Sequence, residues 1–221
     1  MAEMDDFFYI IQKYVESKAL EPGAKLENET VLAEKFGVTR YRVRQALERL
    51  RQMGILDRVK RRGSVIKNIN QHDLSTNLSM QMHVAGFNEE EYHEARSILE
   101  CAIIPLICKR RTPALIGSLT DEINAIRASS LDPQSADEHL RSFHLKLIQG
   151  CGNRVLQTFS SVVIRYFAST HYLVANAPAT YFMEVADQLQ DVVNAVQNNN
   201  PKKAYRLLDN YLKKQTPNFD N

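Results

Sequence analysis

The chain has little glycine, 8 residues in 221, and none in the spacing of a phosphate-cradling loop. It also lacks a Ser-His-Asp arrangement, a paired-carboxylate motif and a His-Glu-x-x-His sequence. With nucleotide loops and hydrolytic constellations both missing, no enzymatic activity is expected. Cysteine is scarce and odd in number, at Cys101, Cys108 and Cys151, without the CxxC spacing of a zinc site. Cys101 and Cys108 lie within an apolar helical run, so reduced core thiols are expected rather than ligands or redox partners. No apolar run approaches the roughly 20 residues that span a bilayer, and the opening Met-Ala-Glu-Met-Asp-Asp is acidic, unlike a signal peptide. The expectation is a soluble, cytoplasmic protein with no membrane partner and no cofactor.

What is present is enough apolar material, 44% of residues, to bury a core in one or two domains. The formal net charge of +2 divides unevenly. Residues 1–67 carry 14 Lys+Arg against 10 Asp+Glu, hence +4, and residues 68–221 carry 14 against 16, hence −2. Residues 39–62 alone hold nine basic side chains against Glu48 and Asp57. Such a local excess is the footprint of a polyanion partner.

At the centre of that excess, residues 38–53 have helical periodicity. Val43, Ala46, Leu47, Leu50 and Met53 share one stripe, whereas Arg40, Arg44 and Arg51 fall on another with Tyr41 beside them. Thr39 is placed as N-cap, with Val38 and Val43 at the spacing of a hydrophobic staple. The stretch by itself fits either a helix made for a DNA major groove or a solvated basic face. The flanks decide for DNA. Asp5 and Asp6 are expected to cap a first helix through Phe7, Ile10, Ile11, Tyr14 and Val15, ended by Glu21-Pro22-Gly23. A short second helix, residues 30–36, follows an N-cap at Asn28, and Gly37-Val38 makes the turn into the third, which is helix-turn-helix spacing. After Gly54 the period changes: residues 55–59 and 64–67 form two strands around a basic tip, Lys60-Arg61-Arg62-Gly63. A helix-turn-helix followed by a basic hairpin is a winged helix, whose wing reaches the backbone or minor groove beside the recognition helix.

These segments resemble the GntR family of bacterial transcription regulators. The residues that carry the resemblance are Glu21-Pro22-Gly23-Ala24-Lys25-Leu26, Leu32 through Arg40, Val43-Arg44-Gln45-Ala46-Leu47, Gly54-Ile55-Leu56 and Arg62-Gly63-Ser64. The resemblance implies DNA contacts at Thr39, Arg40 and Arg44, with Arg62 and Gly63 in the wing; Tyr41, Lys60 and Arg61 stand beside them and join the candidate set. The chain departs from the family pattern at two places. Pro-Ser-Glu-Arg becomes Glu27-Asn28-Glu29-Thr30, which removes an arginine, and the wing-tip Pro-Gly becomes Lys60-Arg61.

Residues 68–88, rich in Asn, Gln, His and Ser, read as a linker with a short helical piece at Leu78–Met82. Residues 89–221 read as an all-α bundle of six helices. The first is marked by Ala95, Ile98, Leu99, Ala102, Ile103 and Leu106, with Pro105 a potential kink. The boundaries are thus 1–67, 68–88 and 89–221, in a mainly α chain.

The bundle in turn resembles the FCD effector domain of the FadR-type branch of the family. The matching residues are Glu94-Ala95-Arg96, Leu99-Glu100, Phe143-His144, Asn153 with Leu156, Asp191 to Val196, Asn200 through Ala204 and Leu212. Many members of that branch hold a divalent metal on an Asp and three His. Those positions fall here on Leu140, His144, Leu189 and Tyr211, and one imidazole does not hold zinc or nickel against water. No metal is expected. The candidate effector contacts are Arg96, His144, Tyr211 and Arg165, with Leu140 and Leu189 in the positions that lost ligands; His171 is a further candidate. Arg96 suits a carboxylate or phosphate, or else pairs with Glu100 four residues on. His144 either faces an effector or is a core histidine bonded to a neighbour, and the apolar replacements favour a more hydrophobic effector. The expected function is an operator-binding regulator, a repressor by analogy, acting as a homodimer on double-stranded DNA. A metal-dependent sensor or metalloenzyme on the bundle, and a regulator with no effector, are the alternatives.

Overall fold

The structure, a computed structural model, describes residues 2–17, 21–169 and 177–214. It divides into two compact units at Asn70/Gln71.

The first unit holds α1 (Ala2–Ser17), α2 (Glu29–Phe36), α3 (Arg40–Gln52), β1 (Leu56–Val59) and β2 (Gly63–Ile66). Two polar caps set the helix-turn-helix. Asn28 Oδ1 accepts the Val31 amide at 3.0 Å and Thr39 Oγ1 accepts the Arg42 amide at 3.3 Å, each satisfying a first-turn N–H that has no partner within the helix. Gly37, at φ 64°, ends α2 in the left-handed region, and the Val38 amide then closes on the Ala33 carbonyl. Val43, Ala46, Leu47 and Leu50 pack with Phe7, Ile11, Leu26, Leu32 and Leu56 into one core, and Val38 packs against it.

Three expectations change here. Helix α1 begins at Ala2, ahead of Asp5 and Asp6, so those residues lie within it rather than capping it. Met53 is the C-cap of α3 and is 54% exposed, because the helix ends before the stripe reaches it. The hairpin also gains a third, irregular edge. Lys25 bridges to Val65, with Gly23 N–H donating to Ile66 O, Ile66 N–H to Ala24 O and Leu26 N–H to Ser64 O. This short stretch after Pro22 has too little alternation to read as a strand.

The second unit holds α4 (Gln71–Ala85), α5 (Glu89–Arg110), α6 (Pro113–Ala128), α7 (Pro133–Gln149), α8 (Arg154–Ser169), α9 (Ala179–Gln197) and α10 (Pro201–Lys214). The expected linker is mostly the helix α4, packed on α8, with Ser75 buried while Leu74, Met80 and Val84 stay exposed. Its weak apolar stripe hides it from periodicity; neighbouring packing rather than propensity stabilises such a helix. Asn88 and Glu91 form a reciprocal capping box at the start of α5. Helix α5 continues through Pro105, and its buried face is rotated from the expected one: Tyr92, Glu100, Cys101, Ile103, Ile104, Ile107 and Cys108 are buried, whereas Ile98 is 61% exposed and Ala102 is exposed. The cause is a charged residue, Glu100, on the inward face, which a hydrophobic pattern assigns to the outside.

Candidate nucleic-acid interface and the buried site of the bundle

Within the first unit, α3, the start of α2 and the wing enclose a groove of about 660 Å³. Arg40, Arg44 and Arg51 line it from α3, Arg58, Arg61, Arg62 and Gly63 from the wing, and Lys25 from the edge beside it. Of the expected contacts, Arg40, Arg44, Arg61, Arg62 and Gly63 are therefore brought together. Thr39 caps α3, Tyr41 is 67% exposed with its hydroxyl accepting from Gln45 Nε2, and Lys60 is exposed on the wing loop; none of these three lines the groove. Lys25, Arg51 and Arg58 join the lining outside the expected set. Their signal was the basic count of residues 39–62 for Arg51 and Arg58, and none for Lys25, which arrives through the unforeseen bridge to Val65.

The basic side chains do not all serve one surface. Arg42 sits over the Phe7 ring at 5.4 Å and Arg49 over Phe8 at 4.1 Å, so two of the nine hold α1 to the back of α3. In the groove, Arg44 Nε donates to Glu29 Oε2 at 3.1 Å and Arg51 Nη2 lies 3.3 Å from Glu48 Oε2. The wing loop carries backbone strain. The Arg62 amide bonds Val59 O at 3.0 Å, closing a four-residue turn with Arg61 in its third position at φ 66°. That conformation favours Gly or Asn and costs another L-residue roughly 1–2 kcal/mol.

In the second unit four polar side chains form a buried line across three helices. Arg96 Nε donates to Glu100 Oε1 at 2.6 Å on α5; Glu100 Oε2 lies 2.6 Å from His144 Nδ1 on α7; His144 Nε2 lies 3.3 Å from the Tyr211 hydroxyl on α10. The His144 and Tyr211 rings stack at 5.7 Å. Burial works against the Glu100 charge, but the attraction of the Arg96 guanidinium and the hydrogen bonds from His144 and Arg96 more than offset it and hold its carboxyl well below the usual carboxylate range. Burial pushes His144 below its ordinary value, with Glu100 opposing and Arg96 reinforcing that shift. A neutral ring with Nδ1–H donating to Glu100 and Nε2 accepting from Tyr211 satisfies every member of the line. Burial also pushes the Tyr211 phenol strongly upward, so it remains protonated. Leu140 and Leu189 are buried in the surrounding apolar core. The Arg165 side chain and His171 lie outside the described residues.

The comparisons agree with this architecture unit by unit. The model of the "Bacterial regulatory proteins, gntR family" matches residues 9–66, and that of the "FCD domain" matches residues 91–214, more than half of the chain. The chain belongs to the GntR family and carries an FCD domain. This GntR-family protein is 25% identical to the HTH-type transcriptional regulator LutR of Bacillus subtilis (strain 168) over 86% of its own length and 89% of that protein's. Its fold is shared with a Streptococcus agalactiae GntR, at a TM-score of 0.62 and 20% identity, covering 96% of this chain and 98% of that one. A second solved structure, E. coli McbR/YncC, gives 0.52 and 18% over 89% and 87%. It is thus a transcription regulator of the GntR and FCD type. No described helix is long and apolar enough to cross a membrane.

The donor set at the metal position of this FCD domain does not suit a metal. Leu140 and Leu189 carry no donor atom, the Tyr211 phenol resists ionisation, and both ring nitrogens of His144 already have partners. Glu100, the hub of the buried line, was not among the expected contacts. Its signal was the four-residue spacing from Arg96, which marks an ion pair.

Proposed function

We propose that this GntR-family protein is a homodimeric repressor whose two winged helices read the half-sites of a palindromic operator. On each protomer Arg40 and Arg44 read base edges in the major groove, while Thr39 and Tyr41 position the start of the helix against the backbone. Lys60, Arg61, Arg62 and Gly63 bring the wing onto the neighbouring backbone and minor groove. The observation that carries this reading is the groove in which arginines of α3 and arginines of the wing face the same space. A polyanion laid along it meets cations from both elements, and the Arg40 and Arg44 forks suit guanine edges.

The bundle is proposed to take a small-molecule effector without a metal, in contact with Arg96, His144, Tyr211, Leu140, Leu189 and Arg165. Leu140 and Leu189 in place of ligands, and a guanidinium already bound by Glu100, support an effector more apolar than a small carboxylate. An effector that binds one arrangement of the two DNA heads better than another shifts operator occupancy by linkage.

The test begins with selection of duplexes from a random-sequence library by the full-length protein. Against the selected duplex, Arg40→Ala and Arg44→Ala are each expected to lose about 5- to 150-fold in specific affinity, the value of a good bidentate base contact. Lys60→Ala is expected to weaken all duplexes alike and to reduce the salt slope by about 0.9, one phosphate contact. Retained specific binding in both arginine variants refutes the reading. For the bundle, a thermal-shift screen stabilised only by metals and small carboxylates refutes the apolar effector.

A further inference from the structure

The wing tip contains a residue that the fold itself does not want. Among the described residues, eight have left-handed backbone: six are Gly, one is Asn199, and the eighth is Arg61 at φ 66°. Glycine and asparagine are the residues that tolerate this region, so the chain follows the rule everywhere except at the tip of the wing. Arg61 recovers nothing from the fold in return. Its side chain is exposed, and it makes no hydrogen bond or ion pair with any described residue. The strain is therefore maintained against a preference that a single substitution would satisfy, and strain of this kind points to a role outside folding.

The position defines the role. The turn closed by the Arg62 amide on Val59 presents Arg61 at the far end of the hairpin from Leu56 and Ile66, the pair anchored at its base. Arg61 borders the groove together with Arg40 and Arg44 of α3. With α3 in a major groove, the tip of the adjacent wing meets the flanking minor groove. That groove is narrow and strongly negative where the sequence is A·T-rich, and a guanidinium, being weakly hydrated, enters it at little desolvation cost.

We infer that Arg61 is a specificity-determining residue that makes this protein select A·T-rich sequence flanking the major-groove half-site. The inference rests on the DNA reading proposed above. Glycine at this position would relax the backbone and forfeit the selection; arginine accepts the strain and supplies it.

Selection from a random duplex library is run in parallel with the full-length wild type and with Arg61→Gly. The expected result is one shared core motif, with A·T enrichment at the outer flanks in the wild-type pool alone. Duplexes carrying that core with A·T or G·C flanks are then titrated. Wild type is expected to prefer the A·T flanks by about five- to tenfold, the low end of a base-pair discrimination, and Arg61→Gly by less than twofold. Arg61→Asn, which tolerates the backbone without the charge, is expected to follow Arg61→Gly. The melting temperature of Arg61→Gly is expected to equal or exceed that of wild type, which separates lost recognition from lost folding. Identical flanks in the two pools, or a variant that loses preference only because it melts lower, overturns the inference. Failure of either protein to enrich any core motif instead overturns the DNA reading beneath it.

Discussion

Replacing Glu100 with Gln removes one charge from the centre of the bundle and turns one of its two acceptor oxygens into an N–H donor, so Arg96 and His144 are left with one acceptor between them. The Arg96 side chain is only 12% exposed and Glu100 only 1%, so water cannot take over the lost partner. Removing one member of a buried ion pair costs about 3–5 kcal/mol, because the remaining charge stays desolvated. The depressed carboxyl points the same way, since the fold favours its ionised form. The expected loss of about 3–5 kcal/mol is measured as the change in unfolding free energy of the full-length protein in urea. The pH profile adds a second readout. A carboxyl held below its unfolded value contributes fully above pH 4.5, and that contribution drains away as pH falls towards about 2. His144, also depressed and neutral in the fold, adds a loss as pH falls below its ordinary 6.5. Glu100→Gln should remove the acid component and keep the histidine component. A paired replacement, Arg96→Met with Glu100→Leu, removes the stranded guanidinium and should recover part of the loss, since apolar residues of similar volume substitute well for a buried pair, while His144 Nδ1 still lacks its acceptor. A loss under about 1 kcal/mol in the single variant, or a double variant worse than the single, would refute the reasoning about this line.

Gly37→Ala places a Cβ at φ 64° with no heavy atom within 4 Å, so its cost is conformational alone, about 1 kcal/mol in urea unfolding. Leu47→Ala empties a fully buried position and should cost about 2–5 kcal/mol, with specific DNA binding lost in proportion to the unfolded fraction. Protein purified without chelator should contain no stoichiometric transition metal, and EDTA should leave its melting temperature unchanged; one equivalent of metal by elemental analysis would overturn the reading of Leu140, Leu189 and Tyr211.

The winged helix was legible in the sequence because its signals are local. Asn28, Gly37 and Thr39 punctuate the chain, and the apolar stripe from Val43 to Leu50 has one period and one destination. What escaped was non-local. The bridge from Lys25 to Val65 joins segments forty residues apart, and nothing in either segment announces the other. The division of arginines between groove and α1 was hidden for a related reason: Arg42 and Arg49 differ from Arg40 and Arg44 only in which side of the helix they occupy. In the bundle, Arg96, His144 and Tyr211, the polar residues singled out as effector contacts, lie in one buried line: Glu100 joins Arg96 to His144, and Tyr211 joins through the other ring nitrogen of His144. Glu100 entered only as an ion-pair partner for Arg96, which it is, and its second partner His144 lies on another helix; the polar helix α4 read as linker because its packing against α8 leaves little apolar stripe.

The irregular edge at Gly23 to Leu26 has an evolutionary corollary. Its backbone bonds to Ser64 and Ile66, with the Lys25–Val65 bridge, tie residues 23–26 to the root of the wing. A deletion or insertion there would slide the partner register and tilt the wing, although the altered residues lie far from it in the chain. The loop at Lys60 to Arg62 lies beyond the Val59–Gly63 pair, the last of the ladder, so changes of length at the tip leave the root intact. Descendants of this protein are therefore free to re-tool the end of the wing while the connection some forty residues upstream keeps its length.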